Sequence, residues 1–184
     1  LLGSGVILRE VIKAAKILRD EYQIHSNVWS VTSFNELARD GMACDEYNRL
    51  HPLTETAQES WVSKQLRHTD GIVVSATDHM RAYSEQIRGY LPDNRPYVTL
   101  GTDGYGRSDT RGNLRSYFGV DAAHIVVATL KKLADEGEVE NRLVKDAISS
   151  FELDTDRPVA WAPQEHPQVQ AVAEYHEHQA GEGN

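Results

Sequence analysis

The sequence is poor in several residue types, and each shortage removes a class of protein. It has one cysteine in 184 residues, Cys44. No internal disulfide framework is available, and the composition suits a reducing compartment such as the cytoplasm. Basic side chains are also outnumbered, 19 Lys and Arg against 28 Asp and Glu, for a formal net charge of −9 and a pI near 5.3. A chain of that sign has no general attraction for nucleic-acid phosphates or an anionic bilayer, so neither nucleic acid nor membrane is expected as a partner. No apolar run approaches the roughly 18 residues of a membrane-spanning helix. The marks of several chemistries are missing too: there is no G-x-x-x-x-G-K-[ST], G-x-S-x-G or H-E-x-x-H. With 40% hydrophobic and 26% charged residues, 13 Gly and 6 Pro, the chain can still bury one core of ordinary α/β size.

Along the chain, strand and helix signals alternate. Leu1-Leu2-Gly3-Ser4-Gly5 reads as the tail of a strand entering a glycine turn, so the 184 residues are expected to come from something longer. Leu8, Val11, Ile12, Ala15, Leu18 and Tyr22 recur at helical period, with Arg9, Lys13, Lys16 and Asp20 opposite. Residues 27–34, 71–76 and 97–100 are β-branched or apolar runs with strand character. Trp29 and Trp61 fall at core-facing positions. Residues 35–53, interrupted by Asn, Asp, Gly and Pro, read as a long loop with one short helical turn. Thr56 and Glu59 have capping-box spacing ahead of a helix with Trp61, Val62 and Leu66. Thr77 or Asp78 is placed to cap a further helix with Met80, Tyr83, Ile87 and Leu91 inward. Three helices close the folded part: one capped by Ser108 or Asp109 and ended by Gly119, one capped by Asp121 and ended by Gly137, and one carrying Val139, Leu143, Val144, Ala147, Ile148 and Phe151. The pattern predicts an open, mostly parallel sheet with helices on both faces. Residues 1–163 form the predicted domain. Residues 164–184, with four Glu, three His and no Lys or Arg, are expected to be a flexible acidic tail.

Two glycine-bearing turns are candidate sites. Gly3-Ser4-Gly5 between strand and helix invites a nucleotide reading, but the third Gly of G-x-G-x-x-G would fall at Leu8, and no acid ends the second strand. The other is the loop after the strand at 97–100, which sets Gly101, Asp103, Gly104, Gly106, Arg107, Ser108 and Asp109 at the carboxyl end of the sheet. Open α/β sheets place ligand or partner contacts there. Arg107 could clamp a carboxylate or phosphate. Alternatively, Asp103 and Arg107 satisfy each other, and the loop is a structural or domain-contact element. His25, His51, His68, His79 and His124 lack a second ligand at metal-binding spacing, and His166, His176 and His178 lie in the tail. Nothing near Cys44 marks an activated thiol. No catalytic, cofactor-binding or metal residue is assigned.

Several segments together resemble a known family. Leu1 to Gly5 with Ile7 to Ile12, Trp29 to Phe34, Arg39-Asp40-Gly41-Met42, Asn48 to Pro52, Ala134 to Gly137 and above all Leu100-Gly101-Thr102-Asp103-Gly104-Tyr105-Gly106-Arg107-Ser108-Asp109-Thr110-Arg111 resemble the C-terminal domain of homodimeric bacterial pyruvate dehydrogenase E1 components, of transketolase type. The match runs to about Ala162; Tyr105 stands where Phe is usual, and Gly112 where a larger polar residue is expected. The resemblance implies a sheet of five strands, four parallel and one antiparallel, the fifth preceding Leu1 or lying within Arg157–Trp161. It also implies a parent enzyme that uses thiamin diphosphate and Mg²⁺ to decarboxylate pyruvate and acetylate the lipoyl group of an E2 acetyltransferase. The domain's partners would then be the remaining E1 domains, a second E1 subunit and E2. The cofactor and catalytic residues belong to other domains, so none is expected in this fragment. A free-standing module binding a small anion or nucleotide is the alternative reading.

Overall fold

The computed structural model describes residues 1–162. Four short strands, β1 (Leu2–Gly3), β2 (Trp29–Ser30), β3 (Val73–Ala76) and β4 (Tyr97–Leu100), form one sheet in the order β2-β1-β3-β4. Every pairing among them is parallel, with Leu2 opposite Trp29 and Ser75, and Val73 opposite Tyr97. Parallel strands need crossovers, supplied here by α1 (Leu8–Tyr22), α2 (Phe34–Leu50), α3 (Trp61–Leu66) and α4 (Arg81–Glu85). After β4 come α5 (Arg111–Phe118), α6 (Ala122–Asp135) and α7 (Asn141–Ser150).

The two sheet faces bury separate clusters. On one, Val11, Ala14 and Leu18 of α1 meet Ile125, Val126 and Leu130 of α6, with Val144 and Ala147 of α7 behind them. On the other, Leu2, Val73 and Tyr97 lie under Phe34, Val62, Leu66, Ile87 and Leu91. Leu18, Ile125 and Leu130 are fully buried, each contributing roughly 1.5–3 kcal/mol relative to exposure. All of β3 is buried, as its continuous apolar run requires of a central strand. Between β4 and its neighbours, the Tyr97 hydroxyl donates to the Ser84 carbonyl of α4 at 2.9 Å and lies 3.0 Å from Ser75 Oγ of β3.

Several expectations need correction. The sheet has four strands among the described residues, not five, and none is antiparallel. Residues 157–161 form no strand: Pro158 has no N–H to donate, and the Arg157 side chain is instead tied at 2.5 Å to the Ser116 carbonyl at the end of α5. The supposed loop at 35–53 is mostly the 17-residue helix α2, whose first turn is capped by Ser33 accepting from the Glu36 N–H at 3.2 Å. Gly41, which reads as a breaker, sits inside that helix because the Tyr90 ring packs on its backbone; a Cβ there would lie 2.5 Å from the ring. Trp61 does not face the core. It is 57% exposed on the rim of a groove between β2 and α3, while Trp29 is half-buried against the second cluster.

Ile12, Met80 and Tyr83 are also exposed, whereas Ile87 and Leu91 are buried as expected. The caps shift by a few residues. Ser60, not Thr56, caps α3; Thr110, not Ser108 or Asp109, caps α5; and α4 begins at Arg81 without a side-chain cap. Asp121 caps α6 as expected, accepting from the His124 N–H at 3.0 Å, and Gly119 ends α5 at φ +68. The tail at 164–184, with its three His, lies outside the described residues.

Candidate functional site

The strand order reverses between β1 and β3, so the loops leaving those strands diverge and a crevice opens at their carboxyl ends. Its floor is polar but self-satisfied. Ser4 Oγ and Thr77 Oγ1 lie 2.7 Å apart, both buried, and the Ser4 N–H donates to the Ala76 carbonyl. The cavity above them, about 380 Å³, is lined by Ser4, Gly5, Ser33, Asp78, His79 and Tyr83. Gly5, at φ +54, is pressed against the Asp78 carboxylate, whose Oδ1 would lie 2.8 Å from a Cβ at that position. A nucleotide phosphate would need that same space, and a carboxylate there repels it. The Gly3-Ser4-Gly5 turn is therefore a tight structural turn.

The loop at Gly101 to Asp109 is built differently from the expected one. Asp103 and Arg107 do not pair. The Asp103 carboxylate accepts from Arg81 Nε at 2.7 Å and from the Arg81 backbone N–H at 3.3 Å, joining the β3–α4 turn to the β4–α5 loop. Thr102 strengthens that seam, its N–H donating to the His79 carbonyl at 2.9 Å and its hydroxyl to the Asp78 carbonyl at 2.7 Å. Gly101 permits so close an approach, since a Cβ would fall 2.6 Å from the His79 carbonyl oxygen. Gly104, at φ +112, has the Ala160 carbonyl 2.5 Å from its would-be Cβ, so the 157–162 segment lies directly on the loop. Gly106 faces open space. Asp109 accepts from the Thr110 N–H and from Asn113 Nδ2 at 2.8 Å, steadying the start of α5.

Three cations around this loop have distinct positions. Arg81 Cζ lies 5.0 Å from the Trp161 ring centroid, Arg157 holds the end of α5, and Arg107 Cζ stands 4.3 Å over the Tyr117 ring. Tyr105, Arg107, Ser108, Asp109, Asn113 and Tyr117 are among the residues lining an open cavity of about 600 Å³. Tyr105 is 82% and Trp161 51% exposed, an unusual amount of aromatic surface beside one loop. Deeper in, Glu10 of α1 is buried and accepts from Arg115 of α5 at 2.8 Å, pinning the loop's helix to the body of the domain. Sequence reading missed Arg81, Trp161 and Tyr117. Arg81 reaches residues 101–109 through the parallel pairing of β3 and β4, Tyr117 through helix α5, and Trp161 through the 157–162 segment that lies on Gly104.

The site thus has shape, a clamped loop, exposed aromatics and one outward guanidinium. Among the described residues no group of three His, Cys, Asp or Glu could hold a metal ion. No helix of the described residues is long and apolar enough to cross a membrane.

Fold and site together define a three-layer α/β domain with a parallel sheet whose carboxyl-end loops carry exposed aromatic side chains. Residues 1–121 match the family model of the transketolase-like TK C-terminal domain, and the chain belongs to that family. Over 157 residues, 85% of the chain, it is 48% identical to the pyruvate dehydrogenase E1 component of Pseudomonas aeruginosa and 50% identical to that of Escherichia coli. Over 158 residues it is 49% identical to the Cupriavidus necator protein of the same name. The chain spans only 17–18% of the length of these relatives. A solved split-gene transketolase, described as an inactive beta4 tetramer, aligns over 72% of this chain and 38% of its own at 23% identity and a TM-score of 0.48.

Proposed function

We propose that this chain is the C-terminal assembly domain of a pyruvate dehydrogenase E1 chain. Its contribution to the reaction is to dock, through the loop at Gly101 to Asp109, onto the remaining E1 domains and the second subunit of a homodimer. The parent enzyme would act in the cytoplasm, decarboxylating pyruvate with thiamin diphosphate and Mg²⁺ and passing the acetyl unit to the lipoyl group of the E2 acetyltransferase. One observation carries this reading: near 50% identity over 85% of the chain to proteins of which it spans less than a fifth. The geometry supports it, because the loop, tied to the β3–α4 turn through Asp103 and Arg81, presents the exposed Tyr105 and the Arg107 guanidinium outward, with the exposed Trp161 nearby. Thiamin diphosphate needs a divalent cation held by oxygen ligands at its phosphates. The described residues do not form such a cradle, so the proposal assigns no cofactor-binding or catalytic residue to this domain. The free-standing anion-binding alternative is disfavoured by the Asp78 carboxylate at the Gly5 turn.

The test is a chimera in which this chain replaces the matching segment of the Escherichia coli E1 component. The chimera should form a stable dimer and decarboxylate pyruvate when given thiamin diphosphate and Mg²⁺. A chimera that folds but neither dimerises nor turns over pyruvate contradicts the reading. Titration calorimetry of the isolated chain with thiamin diphosphate and with nucleotides should show no tight binding.

A further inference from the structure

Resting on that docking role, the cavity beside Arg107 says something about what docks. Both nearby carboxylates are already engaged, Asp103 by Arg81 and Asp109 by the first turn of α5. Arg107 therefore makes no ion pair with a described residue, and its one contact is the face of Tyr117. Stacking uses the π surface of the guanidinium and leaves its in-plane N–H donors unspent, held in the fork geometry that matches a carboxylate. The neighbouring backbone is in the same state. From Asp103 to Asp109 no backbone N–H donates to another described residue. The Asp109 carboxylate also lines this cavity but is engaged by the Thr110 N–H and Asn113, which leaves Arg107 as the formal charge on the cavity wall without an ionic partner among the described residues.

We infer that this pocket receives an acidic side chain, an Asp or Glu carried on another part of the longer E1 chain, with Arg107 as its bidentate partner and the 104–108 amides as secondary donors. A protein-borne carboxylate suits the site better than a free small anion. The cavity is about 600 Å³, far larger than a carboxylate, and its rim carries the exposed Tyr105 and the nearby Trp161. A small anion would leave those rings in water, whereas a docked polypeptide covers them while delivering its charge; Tyr, Trp and Arg together are the usual anchors of such contacts.

The experiment uses the complete E1 chain bearing Arg107→Lys, whose amine a zero-length carbodiimide reagent can join to a carboxylate that it touches. Mass spectrometry should find position 107 linked to an Asp or Glu outside these 184 residues. A link to Asp103, Asp109 or any other carboxylate of this chain overturns the inference. Alongside, Arg107→Glu should raise the rate of protease cleavage within residues 101–110 of the complete chain by roughly ten- to a hundredfold, as expected for reversing one partner of a desolvated charge pair. If the loop resists protease equally in wild type and Arg107→Glu, docking stands and the acidic partner is overturned. If the wild-type loop is cleaved freely in the complete chain, both the partner and the docking reading fall.

Discussion

Replacing Arg81 by Ala should loosen this domain more than replacing Arg107, although Arg107 is the more conspicuous residue in the sequence. Arg81→Ala removes a 2.7 Å charge-assisted bond to Asp103 and the stack on Trp161 at 5.0 Å. A hydrogen bond to a charged group is worth about 1.5–3 kcal/mol when buried. The Arg81 and Asp103 side chains are 43% and 24% exposed, so solvent screening reduces that to about 1 kcal/mol. A half-exposed cation–π contact adds about 0.5 kcal/mol. The total, about 1.5 kcal/mol, corresponds to a fall in Tm of roughly 3–6 °C for a chain of this size. Arg107→Ala loses only its stack on Tyr117 and should cost about 0.5 kcal/mol, or 1–2 °C. Urea denaturation of the four members of an Arg81→Ala, Asp103→Asn cycle should return a coupling energy of about 1 kcal/mol, and the Arg107→Ala, Asp103→Asn cycle one near zero. If the second cycle shows the larger coupling, the loop is held by Asp103–Arg107 pairing and the account of the seam is wrong.

Three further outcomes follow from the same geometry. Tyr97→Phe removes the buried hydroxyl's bonds to the Ser84 carbonyl and to Ser75 Oγ and should cost about 1–2 kcal/mol in chemical denaturation. Burial pushes the Tyr97 hydroxyl up to about 12, so the fold favours the neutral phenol; its contribution is intact below pH 10 and is lost as pH rises through about 12, visible as a late tyrosinate absorbance step absent from Tyr97→Phe. Asp121 is partly desolvated, which raises its pKa, but the bonds from His124 outweigh this and leave it below the ordinary carboxylate value. Its stabilisation is therefore present above that ordinary value and drains away as pH falls, so Asp121→Asn should flatten the acid limb of the stability curve. Gly104→Ala, which adds a methyl 2.5 Å from the Ala160 carbonyl at φ +112, should detach the 157–162 segment; nuclear magnetic resonance shifts of Ala160 and Trp161 unchanged from wild type would count against that packing.

What the sequence disclosed and what it hid divide along physical lines. Local periodicity located α1, α6, α7 and the buried strand β3, because each is governed by burial of its own residues. Helix α2 was obscured because Gly41 answers to a ring from another element, Tyr90, rather than to the backbone it interrupts. Similarly, Asp103 looked as if it would pair with Arg107, four residues away, when its partner Arg81 is distant in sequence and adjacent only through the parallel pairing of β3 and β4. The fifth strand came from resemblance rather than from any run of residues, and residues 157–161 are instead fixed by one guanidinium and one glycine. The importance of the Gly101 to Asp109 loop was legible from its composition; which groups hold it was not.

The central claim, that this domain works by pressing its carboxyl-end loop against other polypeptide, is tested most directly by amide hydrogen exchange at residues 104–108 in the complete E1 chain. None of those N–H groups donates within the described residues, so any protection must come from outside the domain. These amides should exchange at least about tenfold more slowly in the complete chain than in residues 1–184 alone, while the β3 amides exchange alike in both. Equal, fast exchange at 104–108 in the two forms would contradict it.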